Sequence, residues 1–168
     1  MSLPNLRPVG SNPRIPDRHD EFKKLVEPTH PDAIKLLAFW RERMADGGFV
    51  VGRDVPSRPL ARLLGNLAVY EPLADGSDLR VRLAGATIGR RFDRDITGRK
   101  LSELFPADDF AHHMKATAEA IRTGEPFILD SRIMRETVTE LHLEVVVLPV
   151  LSPDRVTTWV LVGLFYFG

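Results

Sequence analysis

Val156-Thr-Thr-Trp-Val-Leu-Val-Gly-Leu-Phe-Tyr-Phe167 reads as a strand that is apolar on both of its faces. Trp159, Leu161 and Phe165 fall on one side of a two-residue period, and Val160, Val162 and Leu164 fall on the other. Such a strand needs cover on both sides. Just upstream, the turn Ser152-Pro-Asp-Arg155 joins it to a second long run, Thr139 to Leu151, and Phe127 to Arg135 precedes that as a third.

Working back toward the N-terminus, Asp108 to Thr123 reads as an amphipathic helix. Phe110, Met114, Thr117 and Ile121 recur along one face, Asp108 and Asp109 suit the positive end, and Gly124 is the stop. Short helical pieces are expected at Ala86 to Phe92 and Arg99 to Phe105. Before them lie two strand-like runs, Leu67 to Leu73 and Leu79 to Leu83, joined by the turn-rich Ala74-Asp-Gly-Ser-Asp78. The second alternates, with Leu79, Val81 and Leu83 on one side and Arg80 and Arg82 on the other. A further helix over residues 32–45 carries Ile34, Leu37, Trp40 and Met44 at helical spacing, with Asp32 as N-cap and Gly47-Gly48 as terminator. Residues 1–31 hold six prolines and scattered charge, and read as an extended arm with a helical turn near Asp20 to Val26.

This order predicts an α+β fold, a five-stranded antiparallel sheet with short helices on one face and an N-terminal amphipathic helix. Residues 32–168 form the domain and 1–31 its arm. The central helices cover one face of the sheet only, so the other falls to the helix at 32–45 or to a second subunit. Leu37, Trp40 and Met44 are therefore the candidate dimer-interface residues.

Composition narrows the function. The 168 residues carry 23 basic and 23 acidic side chains, a balance that argues against a nucleic-acid binder relying on bulk positive charge. There is no cysteine, which excludes disulfides, thiolate metal sites and a cysteine nucleophile. No apolar run approaches the roughly 20 residues of a spanning helix, and no signal peptide is visible, so a cytoplasmic protein with no membrane role is expected. Phosphate loops, nucleophile elbows and zinc-protease motifs are missing. Asp95 before Thr97-Gly98 reads as a turn-former, Asp108 and Asp109 as helix-start charges, and His142 with Glu144 as a solvated pair on one strand face. No catalytic or metal-ligating set emerges, and an enzyme using His113 or His142 is the weakest reading.

The order of elements resembles a PAS domain, and more narrowly a PAS subfamily found mainly in proteobacteria and once known only as a domain of unknown function. The residues that carry the resemblance are Phe39-Trp40-Arg41, Arg53-Asp54-Val55-Pro56, Leu60, Leu63, Leu64 and Leu67, then Arg80-Val-Arg-Leu-Ala-Gly85 with Ile88. They continue through Asp95-Ile-Thr-Gly98, Leu101 and Leu104 to Gly124-Glu-Pro-Phe127 and Leu148-Pro149. The hairpin Glu136-Thr-Val-Thr139 departs from the pattern by lacking Asp-Gly.

The resemblance implies a sensory or interaction module with a cavity between sheet and helices. Such domains hold haem, flavin, a small acid or nothing there, and the cofactor is not named by these residues. Haem-bearing relatives ligate from the long helix, where His113 falls beside Phe110 and Met114 while His112 points away. The thiol-dependent flavin and yellow-protein chromophores are excluded by the missing cysteine. For an organic anion, Arg82 with Arg90 or Arg91 near Gly85 offers a fork for a carboxylate. Phe92, Phe105, Phe110, His113 and Met114 are the candidate ligand-binding residues, with Arg82 as anchor. The expected function is a ligand-binding regulatory module, homodimeric, whose signal leaves through a protein partner. The alternative is a ligand-free interaction module.

Overall fold

The computed structural model describes residues 18–168; residues 1–17, the first part of the expected arm, lie outside the described residues. Along the chain come β1 (Arg18–Leu25), α1 (Pro31–Ala45), β2 (Leu67–Pro72), β3 (Leu79–Ala84), α2 (Ala86–Gly89), α3 (Leu101–Leu104), α4 (Ala107–Thr123), β4 (Phe127–Arg135), β5 (Val138–Leu151) and β6 (Thr158–Tyr166). The strands make one antiparallel sheet in the order β1-β4-β5-β6-β2-β3.

The sheet has six strands, not five. The extra one is β1, where a helical turn was expected, and it pairs along all eight residues with β4, from Arg18↔Arg135 to Leu25↔Ile128. The prolines of the arm flank this stretch without entering it, so its N–H groups are free to join a ladder. As an edge strand it needs no apolar face, and its lysines and acids suit an edge.

Both faces of the central strands are covered within the chain. Trp159, Leu161 and Phe165 of β6 and Val146, Leu148 and Val150 of β5 pack against Ala33, Leu36, Leu37 and Trp40 of α1. Val160, Val162 and Leu164, with Val145 and Val147, pack against Ile88, Leu101, Leu104, Ala116 and Ala120 of α2–α4. Gly163 makes the α1 contact close: a Cβ there would lie 2.9 Å from the Leu36 side chain and 2.6 Å from the Phe165 ring. Trp40 is buried and donates its indole N–H to the Pro149 carbonyl at 2.8 Å. Leu37 and Trp40, expected at a dimer interface, are thus buried against the chain's own sheet, and only Met44 of the three is exposed.

The entry to α1 is clipped to the sheet by one carboxylate. Glu144, expected on a solvated face, is 0% exposed. It accepts from the backbone N–H of Thr29 (3.0 Å) and of His30 (2.9 Å), and from the Thr29 hydroxyl. The N-cap of α1 is His30 and not Asp32, which sits in the first turn. His30 Nδ1 accepts from the Asp32 N–H at 3.1 Å, which leaves Nε2 to donate to the Tyr166 carbonyl at 3.0 Å.

Two further expectations shift by a residue. In α4 the buried positions are Asp109, His113, Ala116, Thr117 and Ala120, while Phe110, Met114 and Ile121 flank them half-buried. Small residues let the helix approach the sheet, and the large ones fill the sides. In β3 the alternation breaks: Leu79 and Val81 face α2–α4, but Leu83 packs with the α1 cluster. The register slips between Val69↔Leu83 and Tyr70↔Val81, so Arg82 is the extra residue of a β-bulge. Gly85 then ends β3 against the preceding loop, where a Cβ would sit 2.0 Å from the Leu64 carbonyl oxygen.

Replacing Glu144 by Ala strands the Thr29 and His30 donors under α1. Glu144→Ala is expected to lower unfolding free energy by about 3 kcal/mol in urea titration, whereas a loss below about 1 kcal/mol would show that the clip is dispensable.

Candidate functional site

Rings pack together in the layer between α2–α4 and the sheet. Phe105 is buried, with the Phe92 ring edge-on to it at 5.6 Å and the His113 imidazole tilted against it at 4.3 Å. Tyr70 of β2 approaches His113 edge-on at 6.4 Å. Phe110 and Met114 pack against the same cluster from α4. Five of the six expected ligand-binding residues, Phe92, Phe105, Phe110, His113 and Met114, therefore lie on one face of the sheet.

His113 is a buried polar group in this largely apolar wall, as are Tyr70 and, on the same stripe of α4, Asp109 and Thr117. It is 3% exposed, and its Nε2 is buried with no hydrogen-bond partner among the described residues. Burial pushes its pKa down to about 3, so the imidazole is neutral at ordinary pH. Burial likewise raises the Tyr70 hydroxyl above its usual range. His112 points outward, as the helical spacing predicts, and meets Phe22 of β1 at 5.4 Å.

Arg82 does not join this set. The bulge turns it to the α1 side, where it pairs with Glu71 at 3.0 Å and lies over the Trp159 ring at 5.4 Å. Arg90 is exposed and donates to the Thr87 hydroxyl at 3.5 Å. Arg91 is the arginine that comes to the helix side. Its guanidinium lies 4.3 Å from the Tyr166 ring, and its Nε and the Tyr166 hydroxyl are both buried without a well-formed hydrogen bond among the described residues. Burial pushes Tyr166 up to about 12. Sequence reasoning missed both tyrosines, although the phase of Val160, Val162 and Leu164 already places Tyr166 on this face.

Several other acids and histidines have structural work. Asp95 accepts from the Thr97 N–H at 3.0 Å, the turn its sequence predicts, and this holds its pKa low. Asp78 accepts from its neighbour Leu79 N–H at 2.8 Å and from the Ser102 N–H and hydroxyl, which fixes the start of α3. Buried Asp54 accepts from the Val50 N–H at 2.7 Å and pairs with Arg53 at 2.8 Å and Arg43 at 3.5 Å. Burial raises its pKa, but these donors outweigh it and the net shift is downward. His142 pairs with Asp130 at 2.7 Å, not with Glu144, and stacks on Phe167 at 4.1 Å. Arg132 shares that carboxylate at 3.1 Å, so the group is a hydrogen-bonded network on the sheet. Among the described residues no three His, Asp or Glu side chains gather at metal-binding spacing, and no helix is long and apolar enough to cross a membrane.

A family model described as PAS domain matches residues 28–165, most of the chain. The chain belongs to the PAS domain family. No curated protein matches it at a significant level. PAS domains are typically sensory or interaction modules and not enzymes. In the PAS frame, β1 lies outside the matched span and is an addition to the sheet edge. Several residues that carry the family resemblance, Trp40, Arg53, Asp54 and Gly85, build the α1 contact and the turns, and the ring-lined face draws on others.

The neutral His113 predicts a pH signature. Folded, it stays unprotonated down to about pH 3, while the unfolded chain takes up the proton near 6.5. Between those values the unfolded state binds more protons, so stability falls as pH is lowered, by roughly 1 kcal/mol per unit from this group. Urea titrations of the parent and His113→Leu at pH 6.5 and 4.5 should show a shallower fall in the variant; equal slopes would contradict a buried neutral imidazole.

Proposed function

We propose that this chain is a sensory or regulatory PAS module that takes a small molecule between α2–α4 and the sheet and reports it to a protein partner. The reading is carried by His113: a ring nitrogen, buried in an apolar wall, that no other group satisfies among the described residues. Leaving such an atom unpaired costs about 1–3 kcal/mol, which a ligand with one hydrogen-bonding group recovers. Phe92, Phe105, Phe110 and Met114 supply the apolar lining that ligand sites usually have. Arg91 beside Tyr166 offers a second polar contact, linked to His113 through the Phe92 and Phe105 rings. The chemistry asked of the site is recognition, in the cytoplasm, with the protein surface carrying the outcome.

Self-association is the second reading. Exposed Met44 borders an apolar hollow of about 380 Å³ with Gly48, Pro149, Leu151 and Ile121, a surface on which a second copy could seat. Here the dimer contact is at the end of α1, because Leu37 and Trp40 face inward.

Native mass spectrometry of freshly purified protein, joined to an absorbance scan, tests the first reading. A bound small molecule that is lost from His113→Leu while the variant stays folded is the expected result. A parent chain free of any bound species, or one whose bound species survives the substitution, would remove His113 from the proposal. The same spectra separate monomer from dimer and so decide the second reading.

A further inference from the structure

The strand β1, which precedes the matched span, forms a cleft with β4 and α4. Phe22 and Lys24 of β1 fall on the same sheet face as Phe127 and Leu129 of β4. Opposite them, α4 presents His112, Lys115, Ala116 and Glu119, a stripe at helical spacing on its outer flank. The hollow between has a volume of about 500 Å³, within the range of small-molecule pockets.

Its chemistry is specific. Phe22, His112 and Phe127 bring three rings to the hollow, and Phe22 and His112 lie 5.4 Å apart at 46°. Lys24 is committed: it pairs with Glu119 and lies over the Phe127 ring at 5.1 Å. Lys115 is exposed and has no ion pair within 4.0 Å among the described residues. Two ammonium groups against one carboxylate leave the cleft one positive charge in excess, and Arg122 adds to the positive field around Glu119. A dianion such as phosphate would meet Glu119 with no arginine fork in the lining, whereas one carboxylate needs one free cation.

We propose that this cleft binds a small aromatic monocarboxylate, its ring among Phe22, His112 and Phe127 and its carboxylate on Lys115. The site is separate from the ring-lined interior around His113 and does not depend on it. A ligand here ties β1 to α4, so it also holds the added strand on the sheet edge.

Isothermal titration of the full chain with 2-naphthoate tests this. Saturable binding is expected. Lys115→Gln should raise Kd about tenfold, the loss of one charge-assisted bond, and Phe22→Ser should also weaken binding. The neutral analogue 2-naphthalenemethanol should bind about tenfold more weakly than naphthoate. His113→Leu should leave naphthoate binding unchanged, which separates this site from the interior. Both Phe22 and Lys115 are exposed, so their variants keep the fold, checked by an unchanged melting temperature. No binding at millimolar naphthoate, equal binding of the neutral analogue, an unaffected Lys115→Gln, or loss in His113→Leu would each overturn the proposal.

Discussion

Strands β5 and β6 carry apolar side chains on both faces, and the rest of the chain is arranged around that demand. A half-covered sheet would leave Val146, Leu148, Trp159, Leu161 and Phe165 in water, each worth roughly 1.5–3 kcal/mol when fully buried. The α1 helix supplies the missing layer from the same chain. It can do so because Gly163 opens a notch for Leu36, Trp40 reaches the Pro149 carbonyl, and Glu144 pins the residues that lead into the helix. These are three different kinds of contact (shape, a single hydrogen bond and a buried carboxylate), and all act on one short segment.

Covering one face with a continuous helix leaves the other face free to be irregular. There α2 and α3 are single turns, and α4 lies close to the sheet through Ala116 and Ala120. The bulky Phe92, Phe110 and Met114 flank the cluster half-buried, and Phe105 is buried against a histidine whose Nε2 finds no partner among the described residues. The α1 face pairs its buried carboxylates, Glu144 and Asp54, while on the helix side the His113 Nε2 has no partner among the described residues. That nitrogen, with the rings around it, makes the side of α2–α4 the candidate site. Trp40, Arg53 and Asp54, which are among the residues of the family resemblance, say little about a ligand because they secure the layer opposite.

The amphipathic periods were legible in sequence. Trp159, Leu161 and Phe165 against Val160, Val162 and Leu164 is the partition found between the two clusters, and the element order predicts the PAS sheet. What escaped depends on contacts between distant residues. Hydrophobicity marks the large side chains of α4, but close approach to a sheet selects the small ones, so the buried stripe is centred on His113, Ala116 and Ala120. Arg82 alternates with its neighbours in sequence, yet a bulge set by its pairing with β2 turns it away from the site. The β1 strand is charged and lies between prolines, and only the unpaired edge of β4 makes it a strand. Glu144 looked solvated because its partners, Thr29 and His30, are more than a hundred residues away.

That one chain covers its own two-faced sheet is tested most directly by hydrogen exchange of the β5 and β6 amides, followed as the protein is diluted. If α1 provides the cover, those amides are the slowest in the chain and their protection does not change with concentration. If a second subunit were needed, protection of Val146, Val147, Leu148 and Val150 and of Trp159 through Phe165 would fall on dilution, and α1 alone would not be the cover.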